Sequence, residues 1–192
     1  MMLLAMLIAV VAARYFFWTP PAKPSDKFTD HFARYFPMLL PHITGGVVAM
    51  LIGPWQFVSR LRDRYLNLHR WMGRVYLIAV LIGSTAGMAM ATVSIGGLAT
   101  HTGFGMLAGL WFLTGAMAYR RIRRGDLVGH KQWMIRNYSL TFAAVTLRLW
   151  LPFFAGVVRI APMDAYITVS WLCWVPNLIV AEMIAARVKA AA

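Results

Sequence analysis

The stretch NLHRWMGRVYLIAV, Asn67–Val80, sets a histidine, two arginines and a tryptophan at the entrance of a long apolar run. A related stretch, GHKQWMIRNYSL, Gly129–Leu140, comes later in the chain. There Trp133, Met134, Arg136 and Tyr138 repeat Trp71, Met72, Arg74 and Tyr76 at a constant offset of 62, while His130 repeats His69 at an offset of 61. Basic and aromatic residues leading into unbroken apolar sequence mark the headgroup end of a membrane helix, since tryptophan and tyrosine prefer the interface and arginine the cytoplasmic side. The two segments are read as the entrances of equivalent membrane helices whose histidines face a shared centre.

Composition agrees with that reading. Apolar residues make up 60% of the 192, mean hydropathy is +0.64, and only six side chains are acidic, too few to solvate a water-soluble domain of this size. The apolar material falls into six blocks of roughly 18–25 residues, the length that crosses a ~30 Å hydrocarbon core. The expected fold is all-α: an integral membrane six-helix bundle, one transmembrane domain over residues 1–192. It comprises an N-terminal anchor helix (1–18), a four-helix core (35–158) and a C-terminal helix (163–188). The net charge of +13 lies in short connections beside apolar blocks, which suits anionic headgroups and topology control and leaves no basic soluble module for nucleic acid. Cys173 is the lone cysteine, so no disulfide forms within one chain.

In chain order, Met2–Trp18 is read as a retained signal-anchor helix, with Arg14 snorkelling beside Tyr15 and Trp18. Thr19–Asp30, with three prolines, is expected to be an exposed connection. The second block, about Tyr35–Val58, has Pro37 in its first turn; Pro41 predicts a kink or a late helix start just before His42. Ser59–Arg70 opposes Arg60, Arg62, Arg64 and Arg70 to Asp63 alone, which places it in the cytoplasm. The third block, about Leu68–Ser94, carries Gly83 and Gly87 in a spacing that allows close helix approach. The fourth, about Leu98–Tyr119, ends in Arg120, Arg121, Arg123 and Arg124; the fifth runs about His130–Val158 and the sixth about Ala165–Ala186. Both termini are then cytoplasmic, and Ser94–Thr100 and Val157–Asp164 are outer connections.

This topology sorts the histidines by depth. His42 and His101 stand near the outer ends of the second and fourth helices, His69 and His130 near the inner ends of the third and fifth, and His31 lies in an exposed outer segment. Two neutral imidazoles from facing helices are the usual axial ligands of a low-spin b-type haem. A porphyrin also needs a small residue one turn from the ligand, and His42, His69 and His101 have Gly46, Gly73 and Gly105 at that position; His130 has Met134. Interfacial histidines, glycine packing faces and arginines that set topology account for the same features without a cofactor. Arg148, in TLRLWLP within the fifth block, is harder to place, because an unpaired cation there costs ~2.5–3.5 kcal/mol on insertion scales. It calls for a haem propionate, a quinone carbonyl, a substrate carboxylate, water, or a snorkelling route to the outer interface. Gln56, after the Gly53–Pro54 break, is a polar group at membrane depth able to donate to a quinone or to cap a broken helix end.

The histidine placement resembles the cytochrome b561 family and related two-haem membrane cytochromes, and LHRWMG is similar to the histidine-tryptophan-glycine entry of their ligand helices. That resemblance implies an outer haem b on His42 and His101 and an inner one on His69 and His130. A second resemblance is closer in sequence, spanning about His42–Pro152 through GPWQF (Gly53–Phe57), LHRWMGRVY and HKQWMIR…LRLWLP. It is to a bacterial multi-pass membrane family known only as a domain of unknown function, which implies a bacterial inner (cytoplasmic) membrane location and no settled activity.

Three functions remain open. The first is a transmembrane electron carrier with one or two haems, linked to quinol or a similar reductant. The second is a haem-free structural or assembly subunit of a larger membrane energy-transducing complex. The third is a small-molecule transporter, disfavoured because Glu182 is the only carboxylate within a helix where coupled transport would need several. No strand followed by a glycine-rich turn announces a nicotinamide or flavin site, and no nucleophile–base constellation announces a hydrolase.

Overall fold

A computed structural model describes residues 2–17 and 27–190, and among them every regular element is helical. The elements are α1 (Met2–Ala13), α2 (Lys27–Arg34), α3 (Phe36–Ile52), a 3-10 turn (Gly53–Phe57), α4 (Ser59–Arg64), α5 (Leu66–Thr92) and α6 (Leu98–Arg123). They continue as α7 (Leu127–Thr141), α8 (Ala143–Phe153), α9 (Pro162–Leu172) and α10 (Val175–Ala190). Among the described residues four stretches are long and apolar enough to cross a membrane: Phe36–Phe57, Leu66–Thr92, Leu127–Val158 and Pro162–Val188. At 26 residues α6 is as long, but Thr100, His101, Thr102 and Thr114 make it more polar, and it is not among the four. α1, at 12 residues, is shorter than a span; it lays Ala5, Ala9 and Ala12 against Ile43 and Val47 of α3 and Val145 of α8. Large apolar side chains such as Leu7, Ile78, Leu81, Phe112, Ile179 and Val180 remain exposed, as a bilayer allows and water does not.

Small residues set how closely the central helices pack. A methyl group on Gly45 of α3 would stand 2.5 Å from the Ala79 carbonyl oxygen and 2.6 Å from the Gly83 backbone of α5. On its other side Gly83 meets the Trp111 ring of α6, and Gly87 makes room for the His42 imidazole. The Gly83/Gly87 spacing thus brings α3 and α6 onto one helix, as small-residue faces do in membranes. Contacts descend α3 as they climb α5, from His42 at Gly87 to Gly53 at Tyr76, so the two are antiparallel. α5 with α6, α6 with α7, and α7 with α10 run antiparallel in the same way.

A buried polar network ties three of these helices together. Tyr76 of α5 donates to Asn137 Oδ1 of α7 at 2.7 Å and lies 3.0 Å from Thr141 Oγ1, which also accepts from Trp111 Nε1 of α6 at 2.9 Å. Asn137 Nδ2 donates to the Trp111 carbonyl at 2.7 Å and to Thr114 Oγ1 at 2.8 Å. Asn137 and Tyr76 are both fully inaccessible to solvent. On the far side of α7, Arg136 makes a bidentate ion pair with Glu182 of α10 (2.6 and 2.7 Å) and lies over the Trp133 ring, and Gln132 donates to the Ala185 carbonyl.

The all-helical reading holds, and four of the six expected blocks are helices long and apolar enough to span, while α1 is shorter and α6 more polar; other departures are instructive. α3 runs from Phe36 straight through Pro41, so the helix does not start late. Lys27–Asp30, expected in an exposed connection, already belongs to α2; the prolines end at Pro24, and apolar residues at 28, 32 and 36 then recur at helical spacing. Trp18 and the rest of that connection lie outside the described residues. The fifth block turns at Phe142 and ends in a wide-pitched segment after Pro152, and the sixth breaks at Cys173–Trp174 ahead of Pro176. Proline cannot donate to the preceding turn, and the Cys173 carbonyl is taken up by Thr146 and Asn177 side chains.

The glycine contacts make a paired prediction. Gly45→Ala should lower the unfolding midpoint, by about 1–3 kcal/mol of overpacking at a backbone-to-backbone contact. Gly46→Ala, one residue on, meets nothing within 4 Å and should be neutral or stabilising, by up to about 1 kcal/mol of helix propensity. Thermal unfolding of both variants in one detergent checks the contrast.

Candidate functional site

The turn Gly53–Phe57 follows from its sequence: Pro54 supplies no amide, and a tight three-residue repeat replaces the α-helical one. In a 3-10 helix residues three apart eclipse, so Gly53 and Gln56 share a face. That face points inward. A side chain on Gly53 would strike the Tyr138 ring and approach Tyr76, and the Gln56 carboxamide oxygen packs at 3.2 Å from where a Gly73 methyl would be. The repeated tyrosines of the two related stretches therefore meet at one glycine. Phe57 lies with its ring 5.4 Å from that of Tyr138.

Among the described residues three buried side-chain polar atoms have no hydrogen-bond partner: Gln56 Nε2, His69 Nδ1 and Tyr138 Oη. All three belong to this region. His69 lies one turn before Gly73 on the same face of α5. Gln56 is 8% exposed and Tyr138 6%. An orphaned buried polar group costs about 1–3 kcal/mol, so three around one turn point to something other than fold stability. The contrast within the repeat is sharp, because the Tyr76 hydroxyl is fully engaged by Asn137 and Thr141 while that of Tyr138 is not.

His69 and His130 come within electrostatic reach of each other, and the charges of Arg62 and Arg70 also reach His69. His130 donates Nδ1–H to the Ala118 carbonyl at 2.9 Å, which fixes the ring and leaves Nε2 as a lone pair. A backbone carbonyl on one nitrogen and a free lone pair on the other is the usual arrangement of an imidazole ligand. The inner pair thus offers two imidazoles at one end of the bundle, one with a free Nε2 and one with an unpartnered Nδ1, both donor types that iron takes.

The outer pair is arranged differently. His42 donates Nδ1–H to the Gly83 carbonyl at 2.8 Å, lies against Gly87, and meets the Trp111 ring edge-on. His101 donates Nε2–H to the Ser94 carbonyl at 2.8 Å, which occupies the nitrogen that normally ligates haem iron. Ser94 stands seven residues beyond Gly87, roughly 10 Å along the bundle. Imidazole nitrogens on opposite faces of one metal stand about 4 Å apart, so the structure does not bring His42 and His101 together around an iron. Nor do the glycines one turn from the histidines share a centre: Gly46 faces open space, Gly73 faces Gln56, and Gly105 faces Ala91. Arg148 donates to the Ala144 carbonyl at 2.8 Å and its charge is felt at His42, so it belongs to the outer cluster. At the same end Asp30, His31, Arg34, Tyr35 and Ile95 line an open depression of about 300 Å³. His31 is half-buried there, and burial together with Arg34 holds its imidazole below the ordinary value.

Comparison with known proteins places the sequence. A family model described as predicted membrane protein (DUF2306) matches residues 39–185. The chain belongs to this family. It is therefore an integral membrane protein with several apolar helices, in a family described by its membrane character alone, and the cytochrome b561 resemblance has no support in the comparison. No curated protein and no solved structure matches the chain. The matched range contains the Gly53–Phe57 turn, all four candidate histidines and the buried network.

Two residues of the inner region escaped the sequence reading. Tyr138 stood in the repeat without a role, and its pairing in register with Tyr76 was the available signal. Asp126 stood as one acid among arginines. It caps α7, accepting from the Gly129 amide at 2.7 Å and from Arg121 at 3.0 Å, and so positions the first turn that carries His130. The Gly129 bond first, then the Arg121 guanidinium, hold its carboxyl below the usual range. A depressed carboxyl stabilises the fold above its unfolded value of about 3.9 and loses that contribution as pH falls through its folded value. Wild-type thermal stability should therefore fall at acid pH by a component that Asp126→Asn lacks. Melting curves from pH 6 downward check this.

Proposed function

We propose that the protein is a transmembrane electron carrier linked to quinol, with one b-type haem held between His69 and His130 near the arginine-rich end of the bundle. The observation that carries this reading is the pair of imidazoles at one end of the bundle, one pinned by the Ala118 carbonyl and the other with a buried, unpartnered nitrogen, each within electrostatic reach of the other. A haem there supplies a one-electron couple. The chain's own residues orient the ligands: the Asp126 cap sets the helix that carries His130, and the Ala118 carbonyl fixes its ring. Arg62 and Arg70 offer counter-charge for carboxylate substituents. In this reading six helices cross a bacterial inner membrane, both termini and the connections 59–65 and 120–126 are cytoplasmic by the positive-inside rule, and the carrier serves a larger complex.

A haem-free subunit of such a complex is the second reading. Gly46 favours it, because a half-buried glycine with open space above it suits the close approach of another helix. Transport has less to draw on, since Glu182 is already committed to Arg136.

A dithionite-reduced minus oxidised spectrum of protein purified from its native membrane, with a haemochrome assay, separates the readings. The carrier shows a b-type signal at about one haem per chain. His130→Ala should abolish it, and His101→Ala should leave it unchanged. Protein that carries no haem when purified intact overturns the proposal in favour of the subunit.

A further inference from the structure

Gln56 and Tyr138 are each more than nine-tenths buried, on different elements, with an unpartnered polar atom at the same turn. We infer that the inner face of the Gly53–Phe57 turn, with Gln56 Nε2 and Tyr138 Oη as hydrogen-bond donors, binds the ring carbonyls of an isoprenoid quinone.

The chemistry of the site selects the ligand. A glutamine amide nitrogen can only donate, and a tyrosine hydroxyl donates readily, so the partner must present acceptor oxygens. The surroundings are apolar: the ring of Phe57 packs against that of Tyr138 at 5.4 Å, tilted by 52°. Access is from the bilayer, because Trp55 and Phe57 on the same turn are 39% and 40% exposed among lipid-facing side chains. A ligand that arrives through the hydrocarbon, carries carbonyl acceptors on a planar ring and is recognised by neutral donors is a quinone rather than a water-soluble acid. Tyr76 cannot substitute for Tyr138, since its hydroxyl is held by Asn137 and Thr141. The inference gives the quinol-linked reading its binding site and rests on that reading for its redox meaning. Its test reads binding alone.

The full chain in lipid nanodiscs is titrated calorimetrically with a short-chain 1,4-benzoquinone and the matching 1,4-naphthoquinone. At least one should bind saturably, and Gln56→Leu and Tyr138→Phe should each weaken binding about tenfold, the loss of one buried hydrogen bond. Both variants should melt at or above the wild-type temperature, because each removes a polar atom that the fold leaves unpaired. No saturable binding to either quinone overturns the inference. So does unchanged affinity in both variants, or a fall in melting temperature that accompanies the loss of affinity in both, which would make the side chains structural. Absence of haem alongside intact quinone binding overturns the carrier and leaves this site standing.

Discussion

The hydrogen bonds of Asn137 are the constraint on which the rest of the bundle depends. A primary amide in hydrocarbon has no water to turn to, so its donors and acceptor must find protein partners at one helix register and no other. Asn137 finds them in Trp111 and Thr114 of α6 and Tyr76 of α5. A slide of α7 by one residue would break all of these at once, whereas a slide of one apolar face over another would lose little. The network therefore fixes the relative heights of α5, α6 and α7. Those heights bring Tyr138 to the Gly53 turn and set His130 at the same end of the bundle as His69.

The repeat acquires a physical meaning in that frame. Trp71–Tyr76 and Trp133–Tyr138 begin α5 and α7, which flank α6 and enter the bundle from the same end. Their tyrosines converge on Gly53 but have diverged in role, one closing the polar network and the other ending in an unpaired hydroxyl. The arginines diverge too. Arg136 is clamped to Glu182, while Arg74 remains exposed. One sequence pattern thus serves as a strut in one copy and contributes a binding group in the other.

Much of the architecture was legible in the sequence because the bilayer imposes length and polarity on every segment that enters it. The apolar blocks, the Gly53–Pro54 break and the Gly83/Gly87 approach were all read from such rules. Helical phase was harder to read. Counting one turn from His42 selected Gly46, but the residue that meets α5 is its neighbour Gly45, because the imbalance between faces of an apolar helix is too slight to fix its rotation. The breaks at Phe142 and Cys173 were hidden because they are stabilised by side chains from other segments, Thr146 and Asn177 among them. The same holds for the polar cluster at the Gly53 turn. Gln56 could be suspected alone, but that its amide goes unpaired while that of Asn137 does not is a property of the assembled bundle.

The clamp between Arg136 and Glu182 bears on the order in which the chain is made. α7 emerges from the ribosome some forty residues ahead of Glu182. Until α10 follows, its arginine, near the headgroup end of the helix, lies over the Trp133 ring without its carboxylate partner. A bundle so wired is completed only when its last helix arrives. Up to that moment α7 is held by its contacts with α6, and a chain that stops short of Glu182 lacks the carboxylate that its arginine pairs with.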